Sequence, residues 1–197
     1  MAPMSDAPSV HAEDRAAWRA WLEANHGTAS GVWLISWRRG HGERVEYEDA
    51  VEEALCFGWI DSQGGNLDER RSRQYFAPRK PTSGWAATNK ERIRRLTAEG
   101  RMAPAGLAAI ERAKANGSWT LLDDVERGVI PDDLATALAA HPPAGTTFDA
   151  FPRSVRRAML EWVAQAKRPE TRATRVRSIA ERAAINERAY PPPERRG

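Results

Sequence analysis

The segment Tyr47–Phe57 places Tyr47, Ala50, Val51, Ala54 and Leu55 at i, i+3, i+4, i+7 and i+8, the spacing of a single helical face. No other stretch of the chain has so clean a period, and its flanks have a different one. Before it, Val32–Trp37 is dense in β-branched and aromatic residues and reads as a strand. After it, Gly58 stops the helix, and Trp59–Asp61 and Arg73–Ala77 read as two short strands connected through a turn at Gly64–Asn66. A helix between strands, followed by a hairpin-like pair, predicts an α+β fold with a small, mainly antiparallel sheet and argues against a doubly wound one.

Outside that region the periodicity is helical. Helices are expected over Asp14–His26, Trp85–Glu99 with Ser83 as N-cap, Pro104–Asn116, Asp132–Ala140, Ser154–Ala166 and Pro169–Arg188. Paired acids at Asp123-Asp124 and Asp132-Asp133 read as helix N-caps. The expected organisation is a flexible N-terminus (1–12), an α+β domain (13–128), an all-helical module (129–189) and a disordered tail (190–197). The stripe Val155, Met159, Trp162, Val163 and Ala166 is expected to pack the module onto the α+β domain.

Charge separates along the chain. A net +3 overall resolves into −7 over residues 1–70, +3 over 71–152 and +7 over 153–197. No apolar run approaches the ~18 residues that span a bilayer, so no membrane insertion is expected. The N-terminus carries no secretory pattern and the single Cys56 cannot form an internal disulfide, which points to the cytoplasm. Scattered histidines give no metal-ligand spacing, so neither a metal nor a cofactor is expected.

Four motifs stand out in order: Glu53-Ala-Leu-Cys-Phe-Gly-Trp-Ile-Asp-Ser62; Phe76-Ala-Pro-Arg-Lys-Pro-Thr-Ser-Gly-Trp85 with Asn89; Gly100-Arg-Met-Ala-Pro-Ala-Gly106; and Ala166-Lys-Arg-Pro-Glu-Thr-Arg172. Together they resemble the YdeI/OmpD-associated family, also labelled bacteriocin-protection proteins, over roughly residues 10–190. The resemblance implies a bacterial protein with a small α+β domain, then a helical module from about Pro131. It also implies a link to envelope stress and antimicrobial resistance. It supplies no catalytic residue set.

From the residues themselves, a ligand site is expected around Cys56, Trp59, Asp61, Arg79, Lys80, Ser83, Trp85 and Asn89. Asp61 and Arg79 would stand at strand ends and the two indoles would form flat walls, with Arg79 as an anion fork. The alternative is structural: indoles in the core, Asp61 paired with Arg79, Ser83 capping a helix. Cys56, in the last turn of its helix between Leu55 and Phe57, is expected to be buried and unreactive. Asp61-Ser62 with His41 lacks a nucleophile elbow. The acidic face Glu48, Asp49, Glu52 and Glu53 reads as solvated, with iron handling as the functional alternative. A basic surface is expected from Arg153, Arg156, Arg157, Lys167, Arg168, Arg172, Arg175 and Arg182, fit to meet phosphates. Arginine outnumbers lysine 26 to 4, so part of this is general usage. The expected function is therefore non-enzymatic stress or bacteriocin protection, through binding of a small molecule or protein partner in a Trp-lined cleft. Nucleic-acid or anionic-surface binding comes second, and an enzyme at the Asp61/Arg79 cleft third.

Overall fold

A computed structural model describes residues 7–192. The element order is β1 (Ser9–His11), α1 (Arg15–Asn25), β2 (Val32–Trp37), α2 (Tyr47–Cys56), β3 (Trp59–Asn66), β4 (Arg71–Pro78), α3 (Ala87–Ala98), α4 (Pro104–Ala115), α5 (Asp123–Arg127), α6 (Asp132–Ala139), α7 (Ala144–Ala150), α8 (Arg153–Ala164) and α9 (Pro169–Ala184). The fold is α+β: a sheet in the N-terminal part, helices in the C-terminal part. Two compact units divide it. One takes in the described residues up to Ser83 together with Thr88–Asn116; the other takes in Gly84–Ala87 and the described residues from Gly117 on.

In the first unit the sheet has the order β1-β2-β4-β3. The β2–β4 and β3–β4 pairs are antiparallel and β1 joins β2 in parallel, so the sheet is mixed. The stretch expected to be a flexible N-terminus thus contributes β1; its residues 1–6 lie outside those described. Alternation puts Val32, Leu34 and Phe76 on one sheet face, 0%, 2% and 0% exposed. Helices α1 and α2 belong to the core built on that face. Asp14 caps α1 by accepting from the Ala17 amide at 2.7 Å. Trp18 meets Phe76 at 5.2 Å and donates its indole N–H to the Ala50 carbonyl at 3.0 Å.

Helix α2 ends in a close approach to α4. Gly58 follows it with φ +74, the left-handed conformation that lets the chain turn directly into β3. A Cβ on Gly106 would lie 2.2 Å from the Cys56 carbonyl oxygen. The two glycines of the quoted motifs therefore mark one junction.

In the second unit, α5 to α9 enclose their own core of Leu122, Leu134, Phe148, Met159, Leu160, Val163 and Ile179. The Met159/Val163 stripe, expected to face the α+β domain, is part of this core. Trp162 is packed against it, with Tyr190 stacked on its ring at 5.2 Å and Arg175 over it at 5.1 Å. Tyr190 is thus packed where a disordered tail is expected; residues 193–197 of that tail lie outside those described. Helices α5 and α7 are additions to the expected set, both too short to show a period.

Candidate functional site

The acidic face of α2 is exposed only at its start, at Glu48. Glu52 and Glu53 are 6% and 0% exposed. Arg15 of α1 donates to Glu53 at 2.6 Å, to Glu52 at 2.7 Å and to Asp49. Arg19, one turn on, donates to Glu53 at 2.7 Å. Arg95 of α3 bonds Glu52, Arg101 beyond α3 bonds Glu53, and Arg92 bonds Glu48 at 2.6 Å. Four guanidinium groups from three parts of the unit thus converge on two carboxylates. Burial pushes the Glu52 carboxyl upward, but the hydrogen bonds from Arg15 and Arg95 outweigh it and hold it below the usual glutamate range. This corrects the solvated reading at Glu52 and Glu53, while Glu48 is exposed and Asp49 half-buried, and it occupies the oxygens an iron ion would need. Buried carboxylates persist only when paired in this way.

Cys56 sits under the same cluster. It is buried, and burial first, then the Glu53 charge, push its thiol up. That suits an inert structural thiol.

The other residues expected around it have separate structural roles. Trp59 is 1% exposed, with its ring edge-on to Trp21 and its N–H donated to the His26 carbonyl at 3.2 Å. Trp85 belongs to the second unit, is 2% exposed and lies 5.2 Å from the Trp119 ring. Neither indole offers a face to a ligand; both are core. Ser83 does not cap α3, which begins at Ala87; its amide instead donates to the Lys80 carbonyl at 3.0 Å in a turn. Lys80 is exposed, and Asn89 on α3 accepts from Arg92 at 2.8 Å. Asp61 and Arg79 do come together electrostatically. Burial lowers the Arg79 guanidinium to about 10, and the Asp61 charge opposes that drop.

Asp61 also leads to a cavity that the sequence reading did not locate. The Tyr47 hydroxyl donates to Asp61 at 2.8 Å and Gln74 donates to it at 3.3 Å. Tyr47 and Gln74 help to line an open concavity of about 440 Å³, along with Leu34, Ser36, Ser72 and Asn66. Its floor is the sheet face that carries Val32, Leu34 and Phe76. Along β2 that face continues from Leu34 to Ser36, and along β4 from Phe76 to Gln74 and Ser72, so it turns from apolar to polar within one register step. A β-bulge between Asp61 and Gly64 re-aims β3 at the same place. A Cβ on Gly64 would lie 2.0 Å from the Gln74 side-chain oxygen, so a larger residue there would displace that amide. Burial, then the bond to Asp61, push the Tyr47 phenol up to about 12, so it remains a proton donor at neutral pH. The site thus presents hydroxyl and amide groups for hydrogen bonding, beside the paired Arg44 and Glu46 and the Arg73 guanidinium over the Trp33 ring.

The basic C-terminal side chains are largely tied down. Arg157 pairs with Glu126 at 2.7 Å and Glu161 at 2.8 Å, Arg172 with Asp133 at 2.7 Å and Arg182 with Glu187 at 2.5 Å. Arg175 donates to the Trp162 carbonyl, and Lys167 and Arg168 lie between α8 and α9. Arg153 and Arg156 begin α8 beside a second cavity. Hydrogen bonds from Arg157 and Arg172 hold Glu126 and Asp133 below their usual carboxylate ranges.

Residues 10–109, just over half of the chain, match the family described as Domain of unknown function (DUF8412). The chain belongs to that family. The DUF8412 match takes in β1 from Val10, the other three strands, the arginine–carboxylate cluster and the sheet-face cavity. Residues 128–186 match the family described as Bacteriocin-protection, YdeI or OmpD-Associated. The resemblance traced across residues 10–190 is thus carried by the helical part, with a DUF8412 region before it. No curated protein and no solved structure matches the chain. Among the described residues no group of three His, Cys, Asp or Glu side chains is arranged to hold a metal, and no helix is long and apolar enough to cross a membrane.

Proposed function

We propose that this chain is a non-enzymatic binding protein of the bacteriocin-protection type, and that its ligand is a small polar molecule held on the sheet face of the DUF8412 region. The observation that carries the reading is the change along that face from Val32, Leu34 and Phe76 to Ser36, Ser72 and Gln74 beside a 440 Å³ concavity. A ligand pocket needs a few convergent polar groups against an apolar wall, and Leu34 and Ala50 supply the wall. The buried, upward-shifted Cys56 and the protonated Tyr47 favour binding over nucleophilic chemistry. The protective role rests on the description of the family matched by residues 128–186.

Ser36→Phe tests the site. The phenyl ring extends the apolar face into the concavity and fills it, leaving the β2 backbone pairing in place. Thermal-shift screening of the full chain against a library of neutral polar fragments should give hits for the wild type that vanish in Ser36→Phe, with the variant's own melting temperature maintained. Hits that persist in the variant would sink the assignment.

A further inference from the structure

The second unit holds a separate cavity of about 240 Å³. Ile130, Phe148 and Leu160 give it an apolar side, while Arg153, Arg156 and Arg157 project from the first turns of α8. The first turn of α8 contains no acid. Cations at a helix N-terminus face the positive end of its dipole, so helix stability does not account for three arginines there.

The three differ in how they are engaged. Arg157 is committed to Glu126 and Glu161. Arg127, also on the lining, is paired with Asp124. Arg156 has only Asp149 at 3.8 Å, and its Nε is buried without a hydrogen bond. Arg153 is exposed and has no close ion pair among the described residues, its charge acting on Glu126 at longer range. Two guanidinium groups therefore keep hydrogen-bonding capacity at the mouth of a mainly polar cavity with one apolar side, which Glu126, already bound to Arg157, also lines. A planar fork matches the paired oxygens of a carboxylate or phosphate. The volume lies below the range of drug-sized pockets, which limits the guest to a compact molecule.

We propose that this cavity binds a small organic anion, with its carboxylate or phosphate group on Arg153 and Arg156 and its apolar body against Phe148, Leu160 and Ile130. This goes beyond the sheet-face reading, lies in the other unit, and stands or falls separately from it.

Isothermal titration of the full chain at low salt with phenyl phosphate, benzoate and inorganic phosphate tests it. The expected result is saturable binding of phenyl phosphate or benzoate, the tighter of the two identifying the headgroup, with inorganic phosphate weaker than phenyl phosphate. Arg153→Ala and Arg156→Ala should each weaken binding roughly tenfold or more, and circular dichroism should show both variants folded. Arg153 has no close ion pair to lose, so that variant keeps the test decisive if Arg156→Ala unfolds. Absence of saturation at millimolar concentration, equal binding of inorganic and phenyl phosphate, or undiminished binding in the folded variants would each overturn the proposal. So would binding of duplex DNA alone, falling steeply with salt, which would mark a polyanion surface instead.

Discussion

Glu53→Gln is the most informative perturbation of the fold. Glu53 is 0% exposed and accepts from Arg15 at 2.6 Å, Arg19 at 2.7 Å and Arg101. Glutamine keeps the volume and one carbonyl oxygen, so no cavity opens. What disappears is the charge, and three guanidinium groups are left facing an amide that itself donates. Removing one partner of a buried ion pair costs about 3–5 kcal/mol. For a chain of this length each kcal/mol corresponds to roughly 2–4 °C, so the melting temperature should fall by roughly 6–20 °C. Urea unfolding at pH 7 should show the midpoint lowered with the slope preserved. The control is Glu91→Gln, which breaks an exposed i,i+3 pair with Arg94 and should leave the midpoint in place. If Glu53→Gln cost less than about 1 kcal/mol, the range of surface pairs, the cluster would not organise the core.

Further expectations follow from the same contacts. Glu52, Glu126 and Asp133 are all held below their usual carboxylate ranges, so the unfolded chain binds protons that the folded one does not. Their contribution is complete above about pH 4.3 and is lost as pH falls through the folded values; denaturation midpoints should be flat near neutrality and drop steadily below about pH 4. Native Cys56 should resist alkylation at pH 7 and react once urea unfolds the chain; rapid labelling of folded protein would refute its burial. Gly106→Ala should cost about 1–3 kcal/mol or more, because the new methyl meets the Cys56 carbonyl rather than a movable side chain. Gly145→Ala, in α7 with open space around the added carbon, should instead be neutral or stabilising by about 0.5–1 kcal/mol; equal losses at the two sites would undermine both assignments.

Much of the fold was legible because its elements are locally consistent. The Val32–Trp37 strand coincides with β2, and the Tyr47–Leu55 period with α2. Strand β1 was not legible: three residues paired in parallel to β2 have no local signal, and only the tertiary partner defines them. The solvent face of α2 was misread for a related reason. Periodicity assigns Glu52 and Glu53 to the polar side, but it cannot show that Arg15, Arg19, Arg95 and Arg101 arrive from elsewhere to cover that side. The net −7 of residues 1–70 was the available clue, since so acidic a segment needs counter-charges.

The candidate site was legible only at Asp61. Trp59 and Trp85 attracted a pocket reading because indoles serve both cores and ligands, and burial alone separates the two uses. The sheet-face cavity left its trace in the alternation Val32, Leu34, Ser36, where an inward position changes from aliphatic to hydroxyl. That change is visible in the sequence once the facing strand is known. Its partner in register, Ser72, lies 36 residues away, which is why the pattern does not emerge from either strand alone.

The most direct test is a protein-observed NMR titration of the full chain with the neutral polar fragments that shift its melting temperature. Saturable amide shifts should concentrate on Leu34, Ser36, Ser72 and Gln74 and be absent from Ser36→Phe. Shifts centred elsewhere, or retained when Ser36 is replaced, would contradict the sheet face as the binding site.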